Sequence, residues 1–236
     1  MLNPNRYKQI PDPGPDIDSH PSTNPSFGPN INPSFIPFDN LECITYSQMN
    51  LVNEMRYLWL QLIIWTRAYI NNNAARQGAV PVVYERLHSI PTAFYHYMNL
   101  FFGKAIAEQF IQLLSQHIII FANVIGAMAV GNQQAANNRR SAWYGNVNDI
   151  ARLLVQINGS WSYNQWQDLL NRMTTMILDE AVAIFSANYR REIAIYDRLQ
   201  YQSLLIADYM SRGVMNSLLG NSNNRSRPEN QRCKKG

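Results

Sequence analysis

The sequence predicts an all-α protein: an antiparallel up-down helical bundle of four to five long helices, preceded by an extended, proline-rich N-terminal arm. Three observations predict it. No run of residues alternates apolar and polar with the period of two that marks a strand. From about Tyr46 onward, apolar residues recur at three- and four-residue spacing. Nine of the twelve prolines fall within residues 1–40, where fixed φ and missing N–H donors exclude both helix and central strand.

Each element follows from this pattern. Leu51, Met55, Leu58, Leu62 and Trp65 lay one apolar stripe on a first helix starting near Tyr46. Its expected stop is Asn71-Asn72-Asn73, or Gln77-Gly78 a little further on. A short helix around Val82–His88 lies between Pro81 and Pro91. A long helix runs from about Lys104 to Val130 and stops at Gly131-Asn132. Another covers Gln133 to about Ile157, closed by the turn Asn158-Gly159-Ser160. Ser162 is the expected N-cap of a helix over Tyr163 to about Phe185, and a last helix spans about Tyr189 to Leu219. Helices of some 25 residues are about 37 Å long, and short turns between them make neighbours antiparallel.

Three segments result: an extended arm over 1–40, a bundle over 41–220, and a basic tail over 221–236 that is expected to be disordered. The arm repeats a short unit, Asn24-Pro25-Ser26-Phe27-Gly28-Pro29 and then Asn32-Pro33-Ser34-Phe35-Ile36-Pro37. It reads either as a solvated linker or as an adhesive strap in which Phe27, Phe35, Ile36 and Phe38 dock an extended chain on a protein surface. Self-association through the arm is the partner expectation.

Charge adds little about partners. Only 15% of residues are charged, and the net charge is +4. Residues 1–44 carry −3, the tail carries +4, and the helical part carries the remaining +3. A basic pI that comes largely from a tail is weak evidence for nucleic acid, and binding of nucleic acid or an anionic surface through the tail and the arginine-rich helix ends is the least favoured reading. The first twenty residues contain no apolar leader, so a cytoplasmic location is expected. The most apolar stretch, Leu113 to Val130, is interrupted by Ser115, Gln116, His117 and Asn123, which suits a buried bundle helix better than a membrane span.

Chemistry is sparsely provided. The chain lacks a glycine-rich phosphate loop, a GxSxG elbow, a CxxC and an HExxH. Cys43 and Cys233 have no ligand-like neighbours and read as incidental thiols. Of four histidines, His20 lies in the arm, His88 and His96 flank Pro91, and His117 alone falls inside a long apolar helix. Glu180, Asp197 and Asp208 are the candidate acids to join His117 in a polar pocket, the last two being eleven residues apart and so near one face. The plainer reading of these acids is a set of salt-bridged or solvated faces served by Arg67, Arg139, Arg140, Arg152, Arg190, Arg191 and Arg198.

A further set of motifs runs from Leu58 to about Val214. They are Leu58-Trp59 with Trp65-Thr66-Arg67, Leu113-Leu114-Ser115-Gln116-His117, and Trp143-Tyr144-Gly145-Asn146-Val147-Asn148-Asp149-Ile150-Ala151. Trp161 with Trp166, Asp179-Glu180-Ala181-Val182-Ala183, Ile195-Tyr196-Asp197 and Ala207-Asp208-Tyr209-Met210 complete the set. With these the chain resembles a family of helical-bundle proteins of spore-forming Bacillota, many of which carry the automatic name acetylglutamate kinase. Amino-acid kinases are α/β proteins that grip ATP at glycine-rich strand-to-helix turns, and this sequence supplies neither, so kinase activity is not expected. The resemblance implies a Glu-His pair in each of several helices, a pattern similar to the carboxylate-histidine sites of ferritin-like bundles. At the corresponding places this chain has Gln61-Leu62, Gln116-His117, Arg172-Met173 and Tyr201-Gln202, so only His117 is kept.

Two functional expectations follow. The first is a non-catalytic bundle with a structural or protein-interaction role, which the resemblance would associate with spores, with no cofactor. The second is a bundle that binds a transition metal or small ligand through His117, Glu180, Asp197 and Asp208.

Overall fold

Thr45 and Gln48 start the first helix by serving each other. Thr45 Oγ1 accepts from the Gln48 backbone N–H at 3.2 Å and Gln48 Oε1 accepts from the Thr45 N–H at 2.8 Å, so two otherwise unpaired donors are satisfied. The computed structural model describes residues 44–223, with side chains through 218. All of them fall in one compact unit, Ile36–Gly236. The proline-rich arm with Phe27, Phe35, Ile36 and Phe38, the two cysteines, His20 and the basic tail from residue 224 on lie outside the described residues, while 221–223 continue the last helix.

The described residues form seven helices and no strand: α1 Tyr46–Ala74, α2 Val80–His88, α3 Ile90–Phe102, α4 Lys104–Ala129, α5 Gln133–Ile157, α6 Tyr163–Phe185 and α7 Tyr189–Asn223. The all-α expectation holds for this part of the chain. α1 ends at Ala74, next to the asparagine run, at the first of the two expected stops. Asn71, Asn72 and Asn73 each turn a side-chain amide back onto the carbonyl four residues earlier and stay helical. The chain leaves the helix after Ala75, where Arg76 takes the left-handed conformation with φ 51°.

A correction concerns α3, which the sequence reading passes over. Pro91 does not bound a loop; it occupies the first turn of a thirteen-residue helix, where its missing N–H costs no helical hydrogen bond. Gly103, at φ 83°, then separates α3 from α4 without a loop. Ser162 flanks α6 but makes no side-chain cap; its backbone N–H donates instead to the Tyr209 hydroxyl at 2.7 Å.

Helix packing follows chain order with one long-range closure. The pairs α3–α4, α4–α5, α5–α6 and α6–α7 are in contact, and α1 packs on α7. Central α1 also touches α2, α3, α4 and α6. Trp59, Trp143, Trp166, Phe94 and Phe110 are fully buried in one continuous core. By length and composition α4 could cross a membrane, with a window of mean hydropathy 1.6, but 44% of that window is buried inside this fold.

Candidate functional site

On α4 the residues Phe110, Leu114, His117, Phe121 and Val124 repeat at three- and four-residue spacing, and all five are buried. His117 therefore takes a core position, and its polar atoms need partners. Asn146 of α5 supplies one. Its amide nitrogen donates to the Leu113 carbonyl at 3.0 Å, which leaves its oxygen facing His117 Nδ1 at 2.9 Å. Nδ1 is accordingly the protonated nitrogen. Trp143 Nε1 lies 2.9 Å from Nε2 and 3.1 Å from Nδ1, nearly equidistant, so its N–H points at the face of the ring rather than along one lone pair. The neutral imidazole thus has Asn146 at Nδ1 and the Trp143 indole over its face. Burial lowers its pKa to about 4, against a smaller upward pull from Asn146.

Beside the ring is a cavity of about 10 Å³, lined by Leu62, Thr66, Phe121, Trp143, Met173 and Ile177 among others. That is room for scarcely one water. Leu62 of α1 and Met173 of α6 thus meet His117 of α4 at one point. On α7 the buried Gln202 donates to the Leu169 carbonyl at 2.9 Å and ties α7 to α6.

Glu180 lies elsewhere. Its row on α6 is Trp166, Met173 and Glu180, seven apart, so the carboxyl occupies a core position and is fully buried. Arg67 Nε of α1 is 3.5 Å from Glu180 Oε1 but 2.6 Å from Glu192 Oε1 of α7, to which it donates. Neither Glu180 oxygen has a hydrogen-bond partner. The Arg67 guanidinium also lies 4.2 Å above the Tyr196 ring. Burial raises the Glu180 pKa to about 8, Arg67 opposing and Glu192 assisting. The Tyr196 phenol is raised chiefly by burial, and the Arg67 guanidinium is raised chiefly by its bond to Glu192.

Asp208 is held bidentately by Arg56, at 2.6 and 2.7 Å, where α7 meets α1. Asp197 is exposed. The four residues expected to share a polar pocket therefore have three different settings and one has none: His117 joins Asn146 and Trp143, Glu180 joins Arg67 and Glu192, Asp208 joins Arg56, and Asp197 faces outward. His88 packs on Tyr84 and the exposed His96 on Tyr97, their ring centroids 5.6 and 5.1 Å apart. No group of three metal-capable side chains occurs among the described residues. A shallow groove of about 450 Å³ between the end of α4 and the start of α5 is lined by Tyr69, Asn123, Gly126, Asn132 and Arg139.

The residues sequence reasoning missed are partners: Trp143, Asn146, Arg56 and Glu192. Trp143 and Asn146 were present in one quoted motif, three residues apart and so on one face of a helix. The described part is an all-α protein whose buried polar groups cross-link helices. The chain matches no protein-family model, no characterised protein and no solved structure.

Proposed function

We propose that this chain is a non-catalytic, antiparallel up-down helical bundle with a structural or protein-interaction role. The carrying observation is the state of His117. Nδ1 is committed to Asn146, the Trp143 indole sits over the ring, and the space beside the ring is lined by Leu62, Met173 and Ile177, poor ligands for a hard or borderline metal. The up-down arrangement is supported by the order of cross-links. Arg56 pairs with Asp208 and Arg67 with Glu192, so numbers rise along α1 as they fall along α7. Tyr144 with Thr175 and Asn148 with Gln167 run in opposite order along α5 and α6 in the same way.

The interaction is self-association that depends on the arm, residues 1–40, with its repeated phenylalanine units. The setting is cytoplasmic or spore-associated, without a membrane span or nucleic-acid partner. Sedimentation of the full chain against a chain lacking residues 1–40 tests this: the full chain should be oligomeric and the shortened one should not. An unchanged oligomeric state would remove the arm from the account.

A second reading, a metal- or small-ligand-binding bundle, is favoured by one observation: the two buried, unpartnered oxygens of Glu180. Mass-spectrometric metal content of protein purified without a histidine tag separates the two. A near-stoichiometric transition metal would favour the second reading, and a metal-free protein the first.

A further inference from the structure

The α6–α7 corner brings two buried acids to one base. Glu180 precedes the corner and Glu192 follows it, with Ser186, Ala187 and Asn188 between the helices. Ala187 holds the turn at φ 55°, and the Asn188 N–H bonds back to the Ala183 carbonyl. Glu180 is 0% and Glu192 4% exposed. Among the described residues the one guanidinium within ion-pair distance of both is that of Arg67, and its Nε–H can be given to only one carboxylate; it goes to Glu192. A second ionised carboxylate would stand in the core with no hydrogen bond and half a counter-charge.

We propose that Arg67, Glu180 and Glu192 form a proton-operated latch that fastens the α6–α7 corner to α1. In the closed state Glu180 carries a proton and Glu192 holds the guanidinium. Loss of that proton to solvent, past the third of the Arg67 side chain that is exposed, leaves two carboxylates competing for one cation across a three-residue turn. Glu180 then leaves the core or the corner opens with it.

The groups facing Glu180 are few. Arg67 comes from α1 and Glu192 and Tyr196 from α7, and no side chain of the neighbouring α5 pairs with it. Asp179, Arg190 and Arg191 are exposed. His117, a turn and more away along the same seam, stays neutral throughout the range in which Glu180 titrates. Burial without a hydrogen bond favours the protonated carboxyl, which is the direction in which the Glu180 pKa moves, to about 8.

Carboxyl-selective NMR on the full chain, with labelled glutamate, tests the latch. One glutamate should titrate near pH 8 in the wild type and vanish in Glu180→Gln. In Glu192→Gln, with Arg67 released to Glu180, that titration should fall by about one unit or more. Amide exchange across 178–192, corrected for intrinsic rate, should rise roughly tenfold from about pH 6.5 to about pH 9 in the wild type and stay flat in Glu180→Gln. Titration of every glutamate below about pH 6, or the same rise in Glu180→Gln, overturns the proposal. Should Glu180→Gln not fold, the wild-type titration and its movement in Glu192→Gln decide the matter alone.

Discussion

The indole of Trp161 occupies the place where a β-carbon of Gly213 would be. A carbon built on Gly213 stands 1.7 Å from Trp161 Nε1, which itself donates to the Tyr209 carbonyl at 3.2 Å. Trp161 packs edge-on to Trp166 at 5.5 Å, and Trp166 packs on Tyr209 at 5.0 Å. The turn before α6 is thus nailed to α7 through a glycine-sized gap.

Glycine in a helix interior is ordinarily worse than alanine by about 0.5–1 kcal/mol. Here Gly213→Ala should instead destabilise by about 1–3 kcal/mol, because the rigid ring has to move. In a Trp161→Ala background the sign should revert and Gly213→Ala should become neutral or stabilising. Urea denaturation of the four proteins in the cycle gives the answer. A stabilising Gly213→Ala in the wild-type background would contradict the packing.

His117 and Glu180 should shape the pH dependence of stability in opposite senses. The His117 pKa is lowered to about 4 in the fold, so its contribution is full above its ordinary 6.5 and is lost as pH falls through 4. The Glu180 pKa is raised from 4.5 to about 8, so its contribution is full below 4.5 and is lost as pH rises through 8. Between about pH 4.5 and 6.5 the two slopes cancel, one proton against one. Stability should therefore be flat there and fall above about pH 6.5. Denaturation in Glu180→Gln should show the alkaline limb gone and a rising slope uncovered between about pH 4.5 and 6.5. A wild-type curve that rises from pH 6.5 to 8 would refute this.

Asn146→Leu should cost about 1–3 kcal/mol, since it strands the His117 Nδ1–H in the core and removes the Leu113 carbonyl's second hydrogen bond. Paired replacement, Asn146→Leu with His117→Phe, should recover part of that loss. Calorimetric unfolding of single and double variants measures it.

The two arginines that join α1 to α7 should differ sharply. Arg56 is 39% exposed, and Arg56→Met should cost about 1 kcal/mol or less, more at low salt. Arg67→Met leaves the buried Glu192 carboxylate uncompensated beside the protonated Glu180 and should cost about 3–5 kcal/mol near neutral pH. Equal losses by denaturant titration would mean that the buried acids have another counter-charge.

Leu62 and Met173 share the cavity with His117, so Leu62→His with Met173→His should install three imidazoles around one point. The double variant should bind zinc or cobalt stoichiometrically where the parent does not. Cobalt absorption spectra of both proteins check it, and an inert variant would mean that the three positions face past one another.

The fold class was legible because helical periodicity is a property of each segment alone. Of the site, His117 and Glu180 stood out as polar residues within apolar rows, but their partners depend on how helices slide against one another. Asp197 and Asp208 show the limit. Eleven residues put them near one face, yet Asp208 is buried and Asp197 exposed, because Arg56 on a different helix covers only one of them. Helix α3 was missed for a local reason: Pro91 reads equally as a boundary and as a first turn.

The seam between α1 and α7 also bears on how the chain comes into being. Arg56 and Asp208 are 152 residues apart, so α1 leaves the ribosome long before its principal partner is synthesised. Until then the side of α1 that meets α7 stays open to chaperones, to proteases and to other nascent chains. Ribosomes stalled before α7 should hold a protease-sensitive first helix, and its protection should come late and at once, when the last helix docks.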